Sequence, residues 1–178
     1  MRGQAHTLEA FVAALLVLGG VVFAIQATAV TPLSASTSNQ HIENQQQAQA
    51  SDLLAAAAAN GTLRGAVIEA YEIDSPYTNS GSMDGFAFGT ALNRMFGESR
   101  IAFNVWVTTA TGGGAELVDQ GTPTDNAVTS SHPVVLLDDT PTGNGTVSTW
   151  ASGPGIEDAS PDTELFGVME VHITVWRI

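Results

Sequence analysis

This sequence predicts an α+β fold: a long N-terminal hydrophobic helix continuing into an amphipathic half, packed against a small antiparallel β-sheet head. Three observations carry that expectation. Residues 10–30, AFVAALLVLGGVVFAIQATAV, form one uncharged apolar block. An Ala-rich stretch with helical spacing follows and ends at Asn60-Gly61. From Arg100 onward the apolar residues alternate, which is the period of a strand facing a core on one side.

The 21 residues from Ala10 to Val30 make a helix of about 30 Å at ~1.5 Å per residue, enough to cross a bilayer core. Only Gln26 and Thr28 are clearly polar, and both lie near its far end. A secretory signal peptide is one reading, with Ala27-Thr28-Ala29 as its small-residue cut site. A plain signal anchor is a second. A helix buried all round inside a soluble domain is a third, because an apolar surface on every face demands cover on every face.

After the block, Pro32 interrupts the pattern, either kinking one helix or opening a new one. Residues 34–39 read as helix or as a disordered stalk. Beyond them Ile42, Ala50, Leu53, Leu54 and Ala57 fall near one helical face, with Gln45, Gln46 and Gln49 intruding. Asn60-Gly61 is a C-terminal stop. Leu63 to Ile73 fits a short helix or an extended run, and Asp74 to Gly85 is a loop. Phe86, Leu92, Met95 and Phe96 recur at helical spacing and read as core residues before Gly97.

In the alternating half, Ile101, Phe103, Val105 and Val107 share one face of a strand. Gly112-Gly113-Gly114 is a turn, and Ala115 to Asp119 is a brief returning strand. Val134 to Leu137 is the apolar centre of another strand, and His132 before Pro133 belongs to a turn. Thr146 to Trp150 is a weaker strand candidate. The chain then forms a long strand in which Met169, Val171, Ile173 and Val175 alternate with Val168, Glu170, His172, Thr174 and Trp176. Short strands joined by turns predict an antiparallel sheet of about four strands packed on the helix.

Composition excludes several functions. The 178 residues contain no Cys, so no disulfide framework, thiolate metal site or Cys nucleophile exists. Eighteen Asp and Glu stand against five Lys and Arg, all five of them Arg, for a net charge of −13. No basic patch is available to neutralise phosphates, which argues against a nucleic-acid partner. Excess acid with Lys eliminated looks like the composition of extreme halophile proteins, where salt screens self-repulsion.

The four His, at 6, 41, 132 and 172, are scattered, with no i, i+4 metal-ligand pairing. No nucleophile elbow, phosphate loop or calcium loop is present. Asp138-Asp139 and Glu157-Asp158 read as solvated acids before they read as a cation site. Trp106, Trp150 and Trp176 read as core or sheet-face residues. The expectation is therefore no enzyme, no cofactor and no metal. Asn60-Gly61-Thr62 and Asn144-Gly145-Thr146 are sequons in turns, which makes Asn60 and Asn144 candidate N-glycosylation acceptors on an exported chain.

The N-terminal string Arg2-Gly3-Gln4-Ala5-His6-Thr7-Leu8-Glu9, followed by the apolar block, resembles an archaeal type IV pilin-like protein, and haloarchaeal ones in particular. The resemblance implies a short leader removed by a membrane peptidase, with Arg2 as its positive charge, Gly3 before the cut and Gln4 as the new N-terminus. Glu9 matches the acidic residue that such pilins carry near the helix start. It falls at the sixth mature position, where bacterial type IV pilins place a Glu at the fifth, and the leader is three residues long.

The implied domains are 1–3 leader, 4–30 transmembrane and filament-core helix, 31–61 polar and Ala-rich helix or stalk, and 62–178 extracellular head. Glu9 then pairs with the freed α-amino group of Gln4 on a neighbouring subunit and sets the register between helices. Its alternative role is as a first-turn acid favoured by the helix dipole. Leu15, Leu16, Leu18, Val22 and Phe23 pack helix on helix, and Gly19-Gly20 permits close approach or a local melt. The implied partners are further copies or other pilin-like subunits, the membrane and the leader peptidase. A monomeric, membrane-anchored extracellular binding module is the alternative.

Overall fold

The computed structural model describes residues 2–97, 99–110, 112–152 and 156–178, with the side chains of 2–8, 27–39, 80 and 151–152 outside that description. The chain divides into two compact units, Met1–Ile42 and Glu43–Ile178. Helix α1 runs from Arg2 to Ala59. The helical assignment continues through Pro32 and through residues 34–39, where the sequence alone left a kink, a restart or a stalk open. One proline removes one backbone donor, and the turns on either side keep theirs.

The second unit begins inside α1, so residues 43–59 belong with the α+β fold. Ala50, Leu53, Leu54 and Ala57 are buried there at the i, i+3, i+4, i+7 spacing of a single helical stripe. Gln46 is also in this stripe, at 5% exposure, whereas Gln45 and Gln49 are exposed. It lies one turn before Ala50 and shares its face, so it does not intrude on the stripe. Gly61 ends the run with φ 81°, a left-handed conformation that costs a side-chain-bearing residue and suits glycine.

Helix α2 (Thr62–Glu72) follows at once and buries Leu63, Ala66, Val67 and Ala70. The loop after it holds a short 3-10 turn at Ser80–Met83. Helix α3 (Ala87–Phe96) buries Phe88, Leu92 and Phe96. Met95 is 41% exposed and so not a core residue as its spacing suggested. Phe96, its neighbour in sequence and read as core alongside it, is the one that faces inward, since consecutive helical residues point about 100° apart.

Six strands follow among the described residues: β1 (Ile101–Thr109), β2 (Gly114–Val118), β3 (Val128–Leu137), the two-residue pair β4 (Pro141–Thr142) and β5 (Gly145–Thr146), and β6 (Leu165–Arg177). β1, β2, β3 and β6 form one antiparallel sheet in the order β2-β1-β6-β3. Two expectations are corrected here. Residues 147–152 are a 3-10 turn that buries Val147 and Trp150, not a strand. His132 and Pro133 lie within β3, not in a turn, with Pro133 opposite Glu170. β3 is an edge strand, a place in a sheet where a residue without an N–H is tolerated.

One face of the sheet carries Phe103, Val105, Val107, Val134, Leu136, Met169, Val171, Ile173 and Val175 into a single core with α1, α2 and α3. Ser130 Oγ on this side donates to the Gln47 carbonyl of α1 at 3.1 Å. On the opposite face, Trp176 is only 2% exposed, although it alternates with Val175. The topology explains this. β2 and β3 lie at opposite edges, so residues 119–127 have to cross β1 and β6. Asn104, on that opposite face, fixes the crossing: its Nδ2 donates to the Gly121 carbonyl at 2.9 Å, and its Oδ1 accepts from Gln120 N–H at 2.7 Å.

Candidate functional site: the exposed apolar helix

The stretch Glu9–Gln26 is long and apolar enough to span a membrane, and none of it is buried within the chain. Its 18 residues make about 27 Å of helix, close to the thickness of a hydrocarbon core. Phe11, Leu15, Leu16, Leu18, Val22 and Phe23 all stand exposed, with Leu16 at 72% and Phe23 at 74%. A surface this apolar on all sides requires lipid or other protein to cover it.

Gly19 and Gly20 sit in the middle of this helix, and a Cβ at either would meet nothing within 4 Å. No contact inside the chain therefore calls for glycine at these two positions. Glu9 is exposed at the N-terminal edge of the apolar stretch. Because α1 starts at Arg2, no acid lies in its first turn, and Glu9 falls outside the range of the helix-dipole role. Arg2, Gly3 and Gln4 are helical in backbone, and their side chains lie outside the described residues.

The sheet face left open by the crossing segment carries a polar cluster. Trp106 and His172, opposite each other on β1 and β6, stack with ring centroids 5.2 Å apart and planes within 10°. His172 Nε2 is 3.0 Å from Thr108 Oγ1 and 3.8 Å from Glu170 Oε2, and Glu170 accepts a 2.6 Å bond from Ser131 Oγ. The histidine is thus held by its neighbours on the sheet.

Asp138 lies close enough to Asp139, Asp158 and Glu164 to feel their charges, a grouping the sequence did not suggest. Asp138 has its carboxyl pKa raised by desolvation and then by the charges of Asp158, Asp139 and Glu164. Its Oδ1 is shut off from solvent with no hydrogen-bond partner among the described residues. No group of three or more His, Asp or Glu suited to a metal occurs among the described residues.

Both sequons lie in exposed turns. Asn60 Oδ1 accepts from Thr62 Oγ1 at 2.7 Å and from Thr62 N–H at 3.0 Å, which links the two functional residues of the sequon. Asn144 sits between β4 and β5. That hairpin is anchored at its preceding residue, where Gly143 N–H donates to the Glu72 carboxylate at 2.8 and 3.1 Å.

A family model described as a family of unknown function (DUF7288) matches residues 2–175. No curated protein and no solved structure matches the chain.

Proposed function

Because the chain belongs to this family of unknown function, we propose its role from its own residues: a structural, non-enzymatic subunit of an archaeal cell-surface type IV pilus-like filament. The observation that carries the proposal is the helix of Glu9–Gln26, fully uncovered within the chain and attached to an acidic α+β unit. In this reading the helix holds the subunit in the membrane before assembly and packs against other copies afterwards. Several hundred Å² buried per helix at about 25 cal/mol per Å² supplies on the order of ten kcal/mol before entropic costs.

Glu9 is the only charged residue in the stretch 9–26. A carboxylate at the edge of a bilayer is costly to insert, and pairing it with the α-amino group of Gln4 on a neighbour offsets that cost and fixes register. Gly19 and Gly20 suit close approach between helices. The acidic head faces outward as an extracellular surface, with Asn60 and Asn144 as glycan acceptors.

The deciding experiment is N-terminal and intact-mass analysis of the protein recovered from its native membrane. Loss of Met1 to Gly3 alone, with Gln4 first and the helix retained, supports the filament subunit. A cut near Ala29 makes the chain a secreted protein. An uncut chain makes it an anchored module that stays monomeric. Either of the last two results overturns the proposal.

A further inference from the structure

Beside the start of β1 lies a groove of about 460 Å³, lined by residues that include Thr78, Asn79, Arg100, Ile101, Phe103 and Gln120. It exists because two neighbouring strands differ in reach. β1 pairs with β6 from Ile101 onward, but with β2 only from Val105 onward. At its end β2 passes into Asp119 and Gln120, and the chain leaves the plane of the sheet to cross its face.

The backbone polarity of the groove follows from the ladder. Ile178 N–H donates to the Arg100 carbonyl, so Arg100 and every second residue after it turn toward β6. Ile101 and Phe103 therefore turn their C=O groups, and Phe103 its N–H, the other way, toward the groove, while the Ile101 N–H donates to the Ser99 carbonyl. No strand takes them. The Phe103 N–H is instead bound by the side chain of Gln120, whose Oε1 accepts at 3.1 Å.

The opposite wall is also extended backbone. Tyr77 forms a parallel bridge with Val118, its N–H donating to Leu117 and its carbonyl accepting from Asp119, both at 2.9 Å. Asn79 is still extended, at φ −146° and ψ 155°. The groove thus continues the lane that β2 occupies between Tyr77 and β1. A further strand in this lane would lie about 4.8 Å from each neighbour, the ordinary spacing of a sheet.

We propose that this groove is a β-augmentation site that takes one extended, acidic peptide segment of a partner protein. The incoming strand donates N–H groups to the carbonyls of Ile101 and Phe103, and its own carbonyl replaces Gln120 Oε1 on the Phe103 N–H. Backbone pairing supplies affinity, and Arg100 supplies the charge preference. Arg100 is exposed on the groove wall, one of five arginines in a chain of net charge −13, and it favours a carboxylate on the entering strand. The chain's own acidic stretch 157–164 does not offer such a strand. It is folded into turns in which Ser160 N–H donates to Asp158 and Thr163 donates to Ser160.

The test uses the full-length, isotope-labelled chain in detergent micelles, titrated with acetyl-VTVEVT-amide and acetyl-VTVKVT-amide as probes. The expected result is shifts of the Phe103 and Ile101 amides and of the Gln120 side-chain amide, with the acidic peptide binding roughly tenfold tighter than the basic one. Arg100→Glu, an exposed substitution, is expected to reverse that order. The proposal is overturned if these resonances stay still up to millimolar peptide. It is equally overturned if both peptides bind alike before and after the charge swap, or if the groove responds only to self-association of the chain.

Discussion

The Tyr77 hydroxyl donates to Glu69 Oε1 at 2.6 Å and so fastens the segment bridged to β2 onto helix α2. This bond to Glu69 is the main reason that the Tyr77 pKa is pushed up to about 12, with desolvation and the carboxylate charge adding to it. A phenol raised in the folded state contributes stability that is fully present below its unfolded value of about 10. That contribution is lost as pH climbs through 10 toward the folded value. Tyr77→Phe is expected to cost about 1 kcal/mol near neutral pH and to remove this alkaline slope. Denaturant melts of both proteins at about pH 8 and about pH 11 measure the difference.

Asp138 has the same direction of shift with the opposite consequence at neutral pH. Desolvation and the nearby Asp158, Asp139 and Glu164 disfavour its ionised form in the fold. The folded chain therefore holds the proton more tightly than the unfolded chain, and stability rises as pH falls through the folded pKa. Below the unfolded value no further gain follows. Asp138→Asn is expected to raise the thermal midpoint at pH 7 and to flatten its dependence on pH in the mildly acidic range. An unchanged profile in a calorimetric series would show that this acidic cluster carries no linkage.

Glu9 stands exposed at the edge of an apolar helix, outside its first turn. If it sets the register between subunits, Glu9→Ala abolishes filaments and leaves membrane insertion unchanged. Glu9→Gln separates charge from size and is expected to behave like Ala. Electron microscopy of surface filaments, with membrane fractionation of the same cells, reads both arms. Normal filaments in the Ala variant refute the assigned role.

The sequons make a prediction independent of assembly. Asn60 and Asn144 are exposed in turns, and the Asn60–Thr62 bond joins the two residues a glycosyltransferase must address together. Protein from the native cell is expected to carry a glycan mass that falls by one unit in Asn60→Gln, by one in Asn144→Gln, and to zero in the double variant. Intact-mass spectrometry decides this, and a native mass equal to the bare polypeptide rules the modification out.

Features encoded over a few residues were legible before any coordinates. The apolar block at 10–30, the stop at Asn60-Gly61, and the alternation of β1 and β6 each follow from spacing or from one residue's backbone preference. The same signals named one residue too many on α3, where Met95 and Phe96 were both read as core and only Phe96 is buried. They also placed His132-Pro133 in a turn, because a proline speaks against a strand unless that strand is known to be an edge.

What the sequence determined by itself is the membrane-length apolar helix, the strands β1 and β6, and the acidic character of the rest. The tertiary structure decided the strand order β2-β1-β6-β3, and with it everything that depends on crossing from one edge to the other. The burial of Trp176, the seat of Asn104 against Gly121 and the groove beside Ile101–Phe103 all arise from that order. Periodicity records which way a side chain points relative to its own neighbours. It carries no record of which distant strand comes to lie beside it, because that choice is made by the packing of the whole sheet.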